Sequence, residues 1–295
     1  MTAAFSDWNE AIRPAEKFTK SVENVLLYLG NAKSSTIAVP VARKLADLYG
    51  ATLHVTYVGE EIPDLSALGQ GLGIDTQKTQ SIVFEPGEEN AVKQVARLAQ
   101  ELPKSLVVLA TQTGGPIDED HFGSMTESLF SSKPERAVVL SSCPGDNAWD
   151  VHRILLAHDG TPASDAATEA AAELAECAGV DVVALHVAAR GEEPPGEPGS
   201  IPAPLYVDQP QHEWPMWAEE FMNRVLASGA PASRVHFKLV VSGGQAGSEV
   251  AKVAREEHVD LVVMAWHGHW NRKNCATRVV VRTSGCPVML VYSPD

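Results

Sequence analysis

The chain is poor in cysteine, in basic residues and in long apolar runs. Four cysteines occur in 295 residues (Cys143, Cys177, Cys275 and Cys286), and no two form a CxxC pair. That excludes a disulfide framework and suits a reducing compartment. Lys and Arg number 23 against 38 Asp and Glu, a formal charge of −15. A field of that sign repels phosphate backbones and anionic lipid, so nucleic acid and membrane drop out as main partners. No apolar stretch approaches the roughly 18 residues of a bilayer span. Met1–Lys20 shows no basic segment followed by an apolar one, so no secretion signal is read there and the expected location is the cytoplasm. What is present is ordinary for a globular protein, 44% hydrophobic and 21% charged residues, in a length that suggests two domains.

The chain repeats itself. Glu23–Val58 and His152–Val187 each open on a short apolar run, Val25–Leu29 and Ile154–Ala157. Each continues through a small turn with a serine (Ser35, Ser164), an Ala/Leu-rich helical stretch and a closing Leu-His-Val, at 53–55 and 185–187. The second parts match as well. A helical pattern around Ala91–Leu102 leads to Leu106–Ala110, and one around Glu249–Asp260 leads to Leu261–Ala265. The final apolar runs are Ala137–Leu140 and Pro287–Tyr292. Short apolar runs alternating with helices of 10–15 residues mark βαβ units with a parallel sheet buried on both faces.

The expected fold class is therefore α/β, with two tandem doubly wound domains. Each has a roughly five-stranded parallel sheet and helices on both faces. The divisions are an N-terminal arm over 1–21, a first domain over 22–141, a linker over 142–151 and a second domain over 152–295. The second copy differs by a proline-rich stretch, Gly191–Pro210, and an amphipathic helical stretch, His212–Ser228, with Trp214 and Trp217. Proline lacks a backbone donor, so the stretch before the helix should be irregular.

These residues resemble the universal stress protein family in its tandem two-domain form, over about residues 22–141 and 152–293. Ile154–Ser164 (ILLAHDGTPAS) and the closing Asp260–Trp270 and Cys286–Tyr292 carry the likeness most plainly. The resemblance implies ATP or AMP as ligand, at the carboxyl ends of the strands. It also implies a motif Gly-x2-Gly-x9-Gly-Ser/Thr, whose glycines let backbone N–H groups approach phosphates, and an Asp after the first strand that meets the nucleoside. It further implies domains that pair through their last strands, here within one chain, and a homodimer as a further step.

Each half keeps part of that motif. In the first, Ala110 and Thr113 stand for the first two glycines, Gly123-Ser124 keep the last pair at the right spacing, and Gly30 stands where Asp is expected. In the second, Asp159-Gly160-Thr161 and Gly268 are kept. Ala265 replaces the first glycine, Asn274-Cys275 replace Gly-Ser, and five residues stand where nine belong. The candidate ligand-binding residues are Thr113, Gly123, Ser124, Asp159, Gly160, Val187 and Gly268.

Other patterns carry less. His267 and His269 flank Gly268 and read either as metal ligands, with His158 or Asp159, or as loop residues packed by Trp266 and Trp270. Arg272 and Lys273 offer an anion contact. Ser242-Gly243-Gly244 reads as a strand-to-helix turn. Cys275 reads as a buried small residue or a thiol at a helix start. No Gly-x-Ser-x-Gly elbow occurs, and the expected role is binding or regulation without catalysis; a slow ATPase, which needs a positioned water and a metal site, stays open as a third reading. The alternative is a non-nucleotide scaffold that uses the proline-rich loop and the Trp-bearing helix of the second domain for a partner or small ligand.

Overall fold

The computed structural model describes residues 3–4, 21–29, 37–58, 79–84, 88–111, 124–140, 149–188, 198–201, 203, 213–229, 234–268 and 275–293. The first half runs β1 (Ala3–Ala4), β2 (Asn24–Leu29), α1 (Val39–Tyr49), β3 (Thr52–Val58), β4 (Thr79–Phe84), α2 (Glu88–Glu101), β5 (Ser105–Ala110), α3 (Ser124–Ser131) and β6 (Arg136–Leu140). The second runs β7 (Ile154–Ala157), α4 (Asp165–Ala178), β8 (Val182–Ala188), α5 (Glu213–Ser228), β9 (Phe237–Gly243), α6 (Ala246–Glu256), β10 (Leu261–Trp266), α7 (Ala276–Thr283) and β11 (Val288–Tyr292).

Among the described residues all strands join one sheet of 11, in the order β1-β9-β8-β7-β10-β11-β6-β5-β2-β3-β4. β2–β6 are mutually parallel, as are β7–β11, and β2 and β7 lie centrally in their sets of five. The halves meet where β6 and β11 run antiparallel, with Val138 opposite Met289. The expected α/β fold with helices on both faces is thus present, and the two parallel sheets are edge to edge in one surface. The N-terminal arm supplies β1, which lies antiparallel to β9 at Val240 and Val241.

The repeat holds in strand register and in helix ends. Val25 pairs with Leu53 and Ile154 with Val182, the same 28-residue step. Gly50 and Gly179 close α1 and α4 in the left-handed region, at φ 64° and 69°, where a side chain would be strained. The two Leu-His-Val runs, by contrast, are not equivalent. His54 lies near the start of β3, with its Nε2 2.9 Å from Asn24 Oδ1, whereas His186 lies near the end of β8. Their likeness is three residues out of register.

Alternation along the strands builds two cores. Val25, Leu27, Ile154, Leu156 and Val263 face α1, α4 and α5; Leu26, Leu155, Val262 and Leu290 face α2, α3, α6 and α7. Each core runs across both halves. On the first face α1 packs on α4, and Arg136 of β6 donates to Glu173 of α4 at 2.9 Å. Their side chains are 10% and 8% exposed. The backbone N–H and hydroxyl of Ser21 also donate to Glu173. Removing one member of a buried pair leaves the other charge without compensation. Glu173→Ala is therefore expected to destabilise the chain by about 3–5 kcal/mol in urea unfolding. A loss below about 1 kcal/mol would mean that the pair behaves as a solvated one.

Candidate functional site

In the second half strand order reverses between β7 and β10. Chain leaving β7 turns to one face of the sheet and chain leaving β10 to the other, which opens a crevice at the strands' carboxyl ends. A cavity of about 280 Å³ occupies it. Ala157 and Asp159 line it from the end of β7, Leu185 and Val187 from β8, Ala265 and His267 from β10, and Cys275 from the start of α7. Trp266 lines it too, and its ring meets Phe130 of α3 edge-on at 4.9 Å, so the first half backs one wall.

The turn after β7 is built around Asp159. Its Oδ1 accepts from the Thr161 N–H at 2.9 Å, the Thr161 hydroxyl at 2.7 Å and the Ser164 hydroxyl at 2.8 Å. Burial alone would raise its pKa, but these donors, with His158 nearby, hold the carboxyl below the ordinary Asp value. The site therefore carries a fixed, ionised acceptor.

Behind the turn stand His158, offered by the sequence only as a metal ligand, and His186, Phe221 and Arg224, which the sequence pattern did not offer as site residues. His158 Nδ1 accepts from the Gly160 N–H at 3.0 Å, and the His158 carbonyl accepts from His186 Nδ1 at 3.0 Å. The His158 and His186 rings both pack on Phe221 of α5, and His186 also meets Trp217. His158 Nε2 lies 3.9 Å from Asp165 Oδ1, to which Arg224 Nε donates at 3.2 Å. Among the described residues no group of three metal-ligating side chains assembles; His269, Arg272 and Lys273 lie outside them. His267 Nδ1 lies 3.1 Å from the Ser293 carbonyl.

The candidate residues separate in space. Asp159 and Val187 come together in the cavity wall. Gly160 stands behind the turn at φ 88°, where an added Cβ would meet the Ile201 carbonyl at 2.7 Å. Gly268, at φ 79°, faces Lys133 Cε and Tyr292 Cε2, where a Cβ would approach to 3.2 and 3.3 Å. Ser124 begins α3, while Thr113 and Gly123, like Gly30, lie outside the described residues. Cys275 is the residue before α7, half-buried. Strand pairing also registers the short loop. Val107 pairs with Ala137, 30 residues on, but Val262 pairs with Val288, 26 on, so the second half is four residues shorter there.

Residues 150–292 match the model of the universal stress protein family. The second half of the chain is a universal stress protein domain. Solved structures extend the likeness in fold to both halves. A putative universal stress protein from Pseudomonas aeruginosa superposes with a TM-score of 0.64 at 13% identity, over 94% of this chain and 95% of that one. A universal stress protein from Archaeoglobus fulgidus does so with a TM-score of 0.61 at 16% identity, over 94% and 98%. No curated protein matches the sequence. In this universal stress protein domain, then, the Asp159 turn and the cavity lie at the strand-order reversal of the family fold.

His186 makes the site's scaffold sensitive to acid. Burial drives its pKa from 6.5 to about 4. The unfolded chain thus binds a proton that the folded one refuses, and stability is lost as pH falls from 6.5 toward 4. That contribution amounts to about 3 kcal/mol. Urea unfolding at about pH 7 and about pH 4 is expected to show the loss in wild type and a smaller one in His186→Asn. Equal losses in both would assign the acid sensitivity to other groups.

Proposed function

We propose that the chain is a cytoplasmic binding and regulatory module, not a catalyst, and that its second-half cleft takes an adenine nucleotide. One observation carries the reading: an ionised, hydrogen-bonded Asp159 in the wall of a largely apolar cavity at the point where strand order reverses. A carboxylate held in this way accepts from ligand hydroxyl or amino groups. Ala157, Leu185 and Val187 offer apolar surface for a planar base. α7 carries no side-chain cap and no acidic residue in its first turn, and Cys275, Ala276 and Thr277 bring its N-terminus to the cavity. The positive end of the helix dipole there suits a phosphate. Pairing of the two halves through β6 and β11 gives one chain the arrangement of a dimer.

Calorimetric titration of the full chain with AMP and ATP tests the proposal. Asp159→Asn is expected to weaken binding by about tenfold or more, since a bond to a charged acceptor is lost. Ser124→Ala is expected to leave it unchanged. Loss in Ser124→Ala alone would move the site to the first half. No binding at millimolar nucleotide would leave the non-nucleotide scaffold reading.

A further inference from the structure

The connection from β8 to β9 is longer than the one from β3 to β4 in the first half. Leu53 of β3 pairs with Thr79 of β4, 26 residues on, whereas Val182 of β8 pairs with Phe237 of β9, 55 on. That connection is 29 residues the longer, and it includes α5 and the described segment 198–201. That segment lies against the back of the Asp159 turn. The Ile201 N–H donates to the Gly160 carbonyl at 2.8 Å, and the Ile201 carbonyl accepts from the Trp217 indole N–H at 3.2 Å. The other end is tied by Arg224, whose Nη1 donates to the Gly199 carbonyl and whose Nε donates to Asp165.

We infer that Trp217 is a positioning residue for Asp159. Through Ile201 its indole N–H holds the turn that aims the carboxylate into the cleft. The chain of contacts is continuous. Trp217 is 6% exposed and stacks on Phe221 at 5.1 Å, so its ring is fixed in place. Its N–H holds the Ile201 carbonyl, and the N–H on the other side of the same residue pins the Gly160 carbonyl. Gly160 and Thr161 follow Asp159 directly, and the Thr161 N–H and hydroxyl hold Asp159 Oδ1. Only glycine fits at 160, because the Ile201 carbonyl occupies the place of a Cβ. A glycine at φ 88° has wide freedom of its own, so an external clamp is what selects one conformation. The ligand-binding consequence rests on the adenine-nucleotide reading above; the link between Trp217 and the turn does not.

Two measurements on the full chain separate these. Trp217→Phe keeps the aromatic contact with Phe221 and removes the indole donor. In amide hydrogen exchange without ligand, the Ile201 and Thr161 amides of this variant are expected to exchange about fivefold faster, the weight of one hydrogen bond. Leu155, inside β7, should keep its rate. A faster Ile201 with an unchanged Thr161 would overturn the inference, since the change would then stop at the segment itself. Arg224→Gln loosens the same segment from its other end and is expected to speed the same two amides; it serves if Trp217→Phe does not fold. With AMP as the probe, Trp217→Phe is expected to weaken binding about fivefold. Equal affinity for variant and wild type would overturn the positioning role. A wild type that binds no AMP, with the exchange effect intact, would sink the nucleotide reading and leave the link between Trp217 and the turn.

Discussion

The antiparallel pairing of β6 with β11 is the contact on which the molecule's form depends. Without it each half would end in an open edge of apolar strand, with Val138 and Met289 exposed. With it, ten parallel-paired strands become one surface, and the helices on each face share a single core across both halves. The Arg136–Glu173 pair then fixes the same junction from one face, with Ser21 completing it. A buried ion pair brings little net stability of its own. Its value here is directional, because it joins one half's last strand to the other half's first helix.

That shared sheet also decides what the two halves can do. Phe130 of the first half backs Trp266 in the wall of the second half's cavity. Lys133, also of the first half, lies over the Tyr292 ring and beside Gly268. The cleft of the universal stress protein domain is therefore not an isolated pocket. The other side of its Asp159 turn is covered by the long β8–β9 connection, so one short turn has a cavity before it and a fixed aromatic cluster behind it.

Much of this was legible in the sequence. Apolar runs of four to six residues between Ala-rich helical stretches located the strands, because burial on both faces of a parallel sheet leaves few polar positions. Asp159 and Val187 were legible as site residues through their family resemblance, and they do share the cavity wall. The Leu-His-Val runs misled for a simple reason. Three apolar-polar-apolar residues satisfy strand alternation at several registers, and only pairing with β2 and β7 selects one. Ile201 carried no signal, His186 was read only as part of a repeated Leu-His-Val run, and Trp217 was read for a partner surface, not for the turn. Their contacts with the turn join residues far apart in the chain, one of them in a proline-rich stretch of sequence with no periodicity to read.

By itself the sequence determined the duplicated α/β pattern, the acidic surface and the residues available to each half, since these follow from local periodicity and composition. The tertiary structure decided the register that joins the halves, the use of Gly160 as a contact point and the clamp behind Asp159. Those are matters of which distant groups meet, and burial makes such meetings costly to leave unsatisfied. A local pattern states that a buried carbonyl needs a donor. Only the folded chain names the donor.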